Sequence, residues 1–492
     1  MTQPYRIIVG LEVHAQLLTR TKLFCGCLTK FGAPPNTQVC PVCLGMPGVL
    51  PVMNRKAFEL SLRAALALNC QIARFTKWDR KNYYYPDLPK NFQTSQYDMP
   101  FSHDGWLDID VGQGPRKIGI IRAHLEEDAG KNMHDESGRG GDSKVDLNRT
   151  GTPLLEIVSH PDLRSADEAK AYLEEVRLLL REIGASDCEM QEGSLRCDAN
   201  VNIHIDLPDG TTAATPLVEV KNLNSISSVG RAIEYEAARH WQEYQKDPEN
   251  FLIGKKLKTT AGWNDLRGET VVQRHKESLA DYRFFPEPDL VPAIVSEEQI
   301  EAARAAMGEL PAPQRARLQT QYGLSPYDAD VLMRQGRALV GYYERTVAAC
   351  GDAKAACNWV TNEVMALLKK QYDTIDAFPI SAENLGGFIR EIASSGLNMQ
   401  RAREVYAAML EGGIDGPAAI AKLGFQAIAD EGQLLEYVRR AMAANPKAVA
   451  DFKKGKVKAA DAIKGAVMRE TKGMAKTETV QALLMAELEK AD

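Results

Sequence analysis

The clearest signal along the chain is a period of two. In residues 7–14, Val9, Leu11 and Val13 alternate with Gly10, Glu12 and His14, which is the spacing of a β-strand with one apolar and one polar face. The alternation returns in 117–128, where Arg122, His124, Glu126 and Asp128 oppose Ile121, Ala123 and Leu125, and Glu127 is expected to flank the polar face at the strand end. It returns again in 196–206, where Asp198, Asn200, Asn202 and His204 oppose Cys197, Ala199, Val201, Ile203 and Ile205. In 217–221, Glu219 and Lys221 alternate with Val218 and Val220. Helical spacing lies between these runs. In 165–183, Ser165 and Glu168 have the spacing of a capping box, Tyr172, Val176, Leu179 and Ile183 form an apolar stripe, and Gly184 terminates it. A second helix is expected over 55–68.

From Ser296 the text changes to Ala, Leu, Glu and Arg at helical spacing, with short amphipathic helices expected over 297–307, 338–350, 382–394 and 401–410. A weaker break at Gly412-Gly413 to Gly416-Pro417 sets off a tail. The pattern predicts an α+β protein with an N-terminal sheet domain over 1–295, a helical domain over 296–411 and a small α-helical tail over 412–492.

Composition narrows the class. The 492 residues carry 60 Lys and Arg against 66 Asp and Glu, a net charge of −6, which argues against coating nucleic acid through bulk positive charge but leaves room for a local patch. The N-terminal text does not resemble a secretory signal, and no run of about 18 apolar residues is present. Nine cysteines, an odd number, make a disulfide framework unexpected. The expected location is cytoplasmic, with reduced thiols.

Four of those cysteines have metal spacing. Cys25-Gly-Cys27 is followed by Cys40-Pro-Val-Cys43 among Gly26, Gly32, Pro34, Pro35, Pro41 and Gly45. Each close pair spans one edge of a tetrahedron and the loop brings the pairs together, so a closed, structural zinc site is expected. The alternative is four buried thiols acting as small apolar groups.

The polar strand faces have two readings as well. A solvated face of an antiparallel sheet alternates in the same way. These four strands, however, concentrate Glu, Asp, His and Asn, donors suited to Mg²⁺ and phosphate chemistry, and gathered carboxylates favour a divalent cation. No Gly-x-x-x-x-Gly-Lys-Ser/Thr stretch is present, so any ATP use is not of the P-loop type. A glycine- and serine-rich amidase loop is also absent.

Eight longer motifs carry a resemblance: Gly10-Leu-Glu-Val-His14, Cys40-Pro-Val-Cys-Leu-Gly-Met-Pro-Gly48, Asp79-Arg-Lys-Asn-Tyr-Tyr-Tyr-Pro-Asp-Leu-Pro-Lys90, His124-Leu-Glu-Glu-Asp-Ala-Gly-Lys131, Asp146-Leu-Asn-Arg-Thr-Gly-Thr-Pro-Leu-Leu-Glu156, Glu192-Gly-Ser-Leu-Arg-Cys-Asp-Ala-Asn200, Glu219-Val-Lys-Asn-Leu-Asn224 and Asp281-Tyr-Arg-Phe-Phe-Pro-Glu-Pro-Asp289. Together, and from end to end, the chain resembles the B subunits of aspartyl/glutamyl-tRNA(Asn/Gln) amidotransferases. The resemblance implies a cradle domain related in fold to glutamine synthetase and guanidino kinases, then the helical and tail domains reaching tRNA. It implies a reaction in which ATP phosphorylates the side-chain carboxylate of misacylated Glu-tRNA(Gln) or Asp-tRNA(Asn), after which ammonia displaces phosphate. It implies a heterotrimer, in which the A subunit makes ammonia from glutamine, a tunnel carries it across, and the small C subunit is the brace between the two.

By the same resemblance, Glu12, His14, Glu127 and Glu219 are expected as Mg²⁺ ligands or their support, with Glu126 beside them in the catalytic group. Asp198, Asn200, Lys221 and Arg149 are expected to contact nucleotide and phosphate, and Lys81, Tyr83 and Lys90 to line the ammonia route, although from the residues alone a packed loop is the favoured reading of that Tyr- and Pro-rich segment. Arg283 and Glu287 belong either to a substrate pocket or to a buried ion pair. The chain departs from the family locally, with Ala261 before Gly262-Trp263 where an Arg is usual, and with Lys77-Trp78 in place of Ser-Phe.

Residues 447–476 hold nine Lys and Arg against three Asp and Glu. Alone this reads as a solvated face. With the resemblance, Lys453, Lys454, Lys456, Lys458, Lys472 and Lys476 become a phosphate-contacting patch for tRNA. Two other functions fit parts of the sequence: a stand-alone ATP-dependent carboxylate ligase, and a non-catalytic zinc-containing tRNA-binding scaffold.

Overall fold

The computed structural model describes residues 4–490 apart from 134–141, 276–281, 373, 396, 426–429, 455, 472–474 and 476. It divides into two compact units, Met1–Pro311 and Ala312–Asp492. The first is a mixed α/β unit built on one large sheet, and the second is helical. Among the described residues no helix is long and apolar enough to cross a membrane.

The strand Arg6–Gln16 lies in the middle of the large sheet, antiparallel to Pro153–Ser159 on one side and to Leu195–Asp206 on the other. Arg116–Glu127 continues beyond the first neighbour, and Val218–Leu223, Thr259–Asn264 and Glu269–His275 continue beyond the second. Val9, Leu11, Val13, Ala123, Leu125, Ala199, Val201, Val218 and Val220 are almost completely buried on the core side. The helices Arg55–Ala67, Ala166–Glu182 and Ile226–Lys246 contribute to that core. A one-residue slip of Arg6–Gln16 would carry Glu12 and His14 into this apolar layer, so burial fixes the register.

Local chemistry sets the element ends. Ser165 accepts a hydrogen bond from the amide of Glu168 and caps Ala166–Glu182, and Gly184 follows at φ 65. The Glu168 carboxylate reaches back to the amide of Arg164 rather than to that of Ser165 and also pairs with Arg116, so the expected reciprocal box is one residue out of step. The expected alternation also fails at Ile121. It is 40% exposed, whereas Ile118 and Ile120 are buried. The ladder to Pro153–Ser159 skips Ile121, and the ladder to Ser102–Ile109 skips it opposite Asp104, which has φ 51. This bulge resets which residues face the core.

A small sheet of Asp79–Asn82, Phe92–Ser95 and Phe285–Pro286 packs beside the end of Arg116–Glu127. Ser95 donates to a Glu126 carboxylate oxygen at 3.2 Å, and the Gln96 side chain accepts from the amide of Leu125 at 3.1 Å.

The helix Glu297–Ala305, which follows the change of composition at Ser296, packs on Arg55–Ala67 in the first unit through Ile300 and Ala303. In the second unit, residues 434–488 form a cluster of their own around Leu434, Val438, Ile463, Val467, Val480 and Leu484.

One buried charged group behind the sheet gives the first unit an acid-sensitive point. Glu236, fully buried, accepts from Arg239 at 2.6 Å and from Thr270, and lies 3.4 Å from His240, whose Nδ1 is 2.9 Å from the Thr215 hydroxyl. Burial opposes the Glu236 charge, but hydrogen bonds from His240 and Arg239 outweigh it and hold the carboxyl down at about 2. Burial pushes the His240 pKa down. Both folded pKa values therefore lie below their unfolded values, and both contributions are lost as pH falls, for His240 below the ordinary histidine value of about 6.5 and for Glu236 below the ordinary carboxylate value. The melting temperature is expected to fall between pH 7.5 and pH 5, and less steeply in His240→Gln. Equal slopes in thermal melts of the two proteins would reject the assignment.

Candidate active site

The register of the sheet assembles the polar face. His124 stands opposite Glu156, which stands opposite His14, and Glu12 stands opposite Asp198. His14 Nδ1 lies 3.7 Å from a Glu126 oxygen and 3.8 Å from a Glu156 oxygen, and His124 Nε2 lies 3.7 Å and 3.5 Å from the same two carboxylates. His124, Glu126 and Glu219 are at most 4% exposed and Glu156 is 8% exposed. A merely solvated face would leave them in water. Burial opposes the charge on Glu126, but hydrogen bonds to His124 and His14 and the nearby Lys81 ammonium hold its pKa well below the usual carboxylate range. Burial likewise opposes the charge on His14, and Glu126 and Glu156 outweigh it and raise the imidazole pKa.

Two overlapping donor groups result, His14 with Glu126 and Glu156, and His14 with Glu12 and Asp198, each with its atoms within 4.8 Å of one another. Carboxylate oxygens at that spacing, with one imidazole, fit a hard divalent cation. Asn200 donates to Glu12 at 2.8 Å. Lys221 pairs with Asp198 and, at 2.8 Å, with Glu219, while Lys258 donates to Asn200 at 2.9 Å and lies 3.8 Å from Glu219. Burial disfavours the Lys221 charge, yet Asp198 and Glu219 raise its pKa.

Sequence reasoning had not singled out Glu156 or Lys258. Glu156 is a lone carboxylate inside the apolar run Pro-Leu-Leu-Glu-Ile-Val, and that isolation was its signal.

Lys81 and Tyr83 enter from the small sheet. Lys81 lies 5.2 Å from the centre of the Tyr282 ring, and Glu126 and Glu156 hold its ammonium pKa up against the cost of burial. Tyr83 meets the Tyr282 ring edge to face at 6.0 Å, and burial raises its pKa.

Five of the residues singled out in the sequence lie elsewhere. Glu127 follows Glu126 on the strand and so turns to the other side, where it pairs with Lys90 and accepts from the amide of Thr94 at 3.0 Å. Both line a cavity of about 200 Å³ with Lys22, Cys43, Arg80 and Glu287. Arg149 donates to the carbonyls of Ala129 and Gly130 and lies 3.5 Å from buried Asp128, which also takes Arg196 at 2.6 Å. Glu287 is buried in a bidentate pair with Arg80 at 2.7 and 2.8 Å, the ion-pair alternative, and it also lines that cavity. Arg283 is exposed, at φ 40, and its carbonyl accepts from Asn82.

The four loop cysteines converge, with their sulfur atoms all within 4.8 Å. Tetrahedral zinc with bonds of about 2.3 Å places sulfur atoms about 3.8 Å apart, so the donor set and spacing fit that ion. The Cys43 sulfur accepts from the amide of Cys40 at 3.2 Å and from the ammonium of buried Lys22 at 3.5 Å. A hydrogen bond from Cys25 is the largest influence holding the Cys43 thiol below its ordinary value, and burial pushes Cys27 up to about 11. Gln38, Asn36 and Asn148 tie the loop to the turn at 146–148. Gly45 closes it at φ 68, against the stem of Lys90, where a side chain would collide.

In the second unit Lys453, Lys454, Lys456 and Lys458 are exposed, with Lys456 3.3 Å from Asp451. Lys472 and Lys476 lie outside the described residues.

Comparison with known proteins agrees in both units. Residues 7–301 match the GatB/GatE catalytic domain, and residues 341–488 match the GatB domain. The B subunit of the aspartyl/glutamyl-tRNA(Asn/Gln) amidotransferase of Rhodopirellula baltica is 54% identical over 464 residues, which is 94% of this chain and 93% of that one. The B subunit of Carboxydothermus hydrogenoformans is 44% identical over 99% of each chain, and that of Caldanaerobacter subterraneus is 45% identical over 99% of this chain and 100% of its own. The chain belongs to the family of aspartyl/glutamyl-tRNA(Asn/Gln) amidotransferase B subunits.

Proposed function

We propose that this chain is the transamidase subunit of a glutamine-hydrolysing, ATP-dependent amidotransferase that converts misacylated Glu-tRNA(Gln) or Asp-tRNA(Asn) to the cognate amide. The observation that carries the reading is the group of half-buried His14 with buried His124, Glu126 and Glu156, contiguous with Glu12 and Asp198 across adjacent strands. A carboxylate is a poor acyl donor until one oxygen leaves as phosphate, so the site must gather negative charge from nucleotide and substrate and neutralise it. In this reading Glu12, His14, Glu126, Glu156 and Asp198 hold Mg²⁺, which supplies charge neutralisation for phosphoryl transfer. Glu219 supports them through Lys221 and Lys258. Asn200 orients Glu12, and Lys221 stands beside it for phosphate. Arg149 serves by holding the 129–130 backbone and Asp128.

Glu127 passes from the metal group to the ammonia route, where it pairs with Lys90 at the cavity behind the sheet. Lys81 and Tyr83 stand at the route's exit, and Lys81 is held charged beside the carboxylates. The cysteine loop holds structural zinc. The exposed lysines of 453–458 face tRNA phosphates from the tail of the helical second unit, 412–492. The cradle has the glutamine synthetase and guanidino kinase type of fold. Its partners in the cytoplasm are the glutaminase, which is the A subunit of the heterotrimer, and the small C subunit.

Amidation assays on the chain reconstituted with those two partners test the proposal. The expected result is ATP-dependent amidation of the misacylated tRNA with glutamine, and with ammonium salt when the glutaminase is omitted. Full tRNA binding without amidation from either nitrogen source would leave the scaffold reading. Amidation of a free amino acid without tRNA would leave the stand-alone ligase.

A further inference from the structure

An aromatic stack stands beside the carboxylate group with no part in the chemistry above. The rings of Tyr97 and Phe284 are parallel within 10° at 4.1 Å, and Phe284 meets Tyr282 edge to face at 6.2 Å. Tyr97 is nevertheless 47% exposed. Phe284 stacks on that ring, and Tyr97 as a whole is half open to solvent.

The ring is held in place by its backbone. The amide of Tyr97 donates to buried Asp79 at 2.9 Å, and Asp79 is paired with Lys77, which also bridges to Asp98. The carbonyl of Tyr97 accepts from Arg122 at 2.9 Å. Arg122 makes no other hydrogen bond among the described residues, and it shares a strand and a face with His124, two residues or about 7 Å away. A half-open aromatic ring, a guanidinium with donors to spare and a carboxylate-lined cation site therefore follow one another, the last two on one face of the sheet. Aromatic rings take nucleic-acid bases by stacking, and a guanidinium beside the ring suits the phosphate of the same nucleotide.

We propose that the Tyr97–Phe284 stack is a platform for adenosine, with Arg122 on its phosphate. The inference rests on the function proposed above, in which two substrates present that group: ATP, and the 3′-terminal nucleotide of the charged tRNA. Either would bring its reacting end from the platform toward Glu12, His14 and Glu126.

Two fluorescent probes separate these sources in the reconstituted complex: 2-aminopurine riboside triphosphate, and tRNA with 2-aminopurine in place of its terminal adenine. Stacking quenches either one. Wild-type protein is expected to quench one probe on binding, Tyr97→Ala to bind that probe about tenfold more weakly with the quenching lost, and Tyr97→Trp to restore both. Phe284→Leu, which removes the ring beneath without exposing the core, is expected to weaken the same probe. An effect confined to the triphosphate assigns the platform to ATP, and one confined to the tRNA assigns it to the acceptor end. If wild type binds and quenches a probe and Tyr97→Ala does so equally, the platform is refuted while the function stands. If wild type binds neither probe, the proposed function and the platform both fall.

Discussion

Replacing Glu156 by Gln is expected to lower ammonia-dependent amidation about a thousandfold, because a metal ligand at a phosphoryl-transfer site is worth several kcal/mol of charge stabilisation. Glutamine keeps the volume and an oxygen facing His14 and His124, so the fold has no cavity to suffer from and the lost quantity is charge. The same change at Glu126 is expected to be at least as severe, since Glu126 faces both histidines and Lys81. Two further readings distinguish a metal ligand from a packing residue. Activity should recover partly as Mg²⁺ is raised, and tRNA affinity should remain that of wild type. Amidation within tenfold of wild type in Glu156→Gln, at ordinary Mg²⁺, would remove Glu156 from the cation-holding group.

The second large effect is expected at the cysteine loop. Cys40→Ser should lower the melting temperature of the first unit by about 10 °C or more, since a structural zinc site contributes folding energy directly. Phe31 and Leu28 of the loop are exposed, and its other ties are polar ones, the hydrogen bonds of Thr29, Asn36, Gln38 and Asn148 among them. Metal analysis of the wild-type protein should find about one zinc per chain, and a strong chelator should reproduce the mutant's melting curve. No metal, together with four thiols that react freely in the native protein, would refute the site. Because Gly45 packs on the stem of Lys90, and Lys90 pairs with Glu127, loss of the metal is also expected to uncouple glutamine-driven amidation more than the ammonia-driven reaction.

Much of this site was legible in the sequence because a strand's period of two needs no tertiary information. Glu12 and His14, or Asp198 and Asn200, share a face by alternation alone, and Ser165 caps its helix by local chemistry. Four facts were not read from the sequence. Glu127 follows Glu126 on a regular strand, so the geometry that put Glu126 in the site put Glu127 out of it, and the motif joining them hid the difference. Ile121 sits in a bulge, and an inserted residue inverts alternation without any mark in residue type. Glu156 lies on a strand buried on both faces, where period-two alternation carries no contrast. The partnership of Arg80 with Glu287, across 207 positions of chain, required the small sheet to exist first. The passage from a sheet-containing part to a helical part was visible in the change of composition near 296, although the helix that follows the change packs with what precedes it.

The position of Arg6–Gln16 bears on how the protein is made. This strand leaves the ribosome before either of its neighbours, yet it is the middle of the sheet, and its two partners begin at Pro153 and Leu195. At about 5–20 residues per second, roughly ten to forty seconds pass before both partners have been synthesised. Throughout that interval Ile7, Val9, Leu11 and Val13 have no ladder to join, and the nascent chain offers them to whatever holdase waits at the tunnel mouth. A polypeptide cut short before residue 195 would lack Asp198 as well, so abortive products of translation carry no working copy of the site.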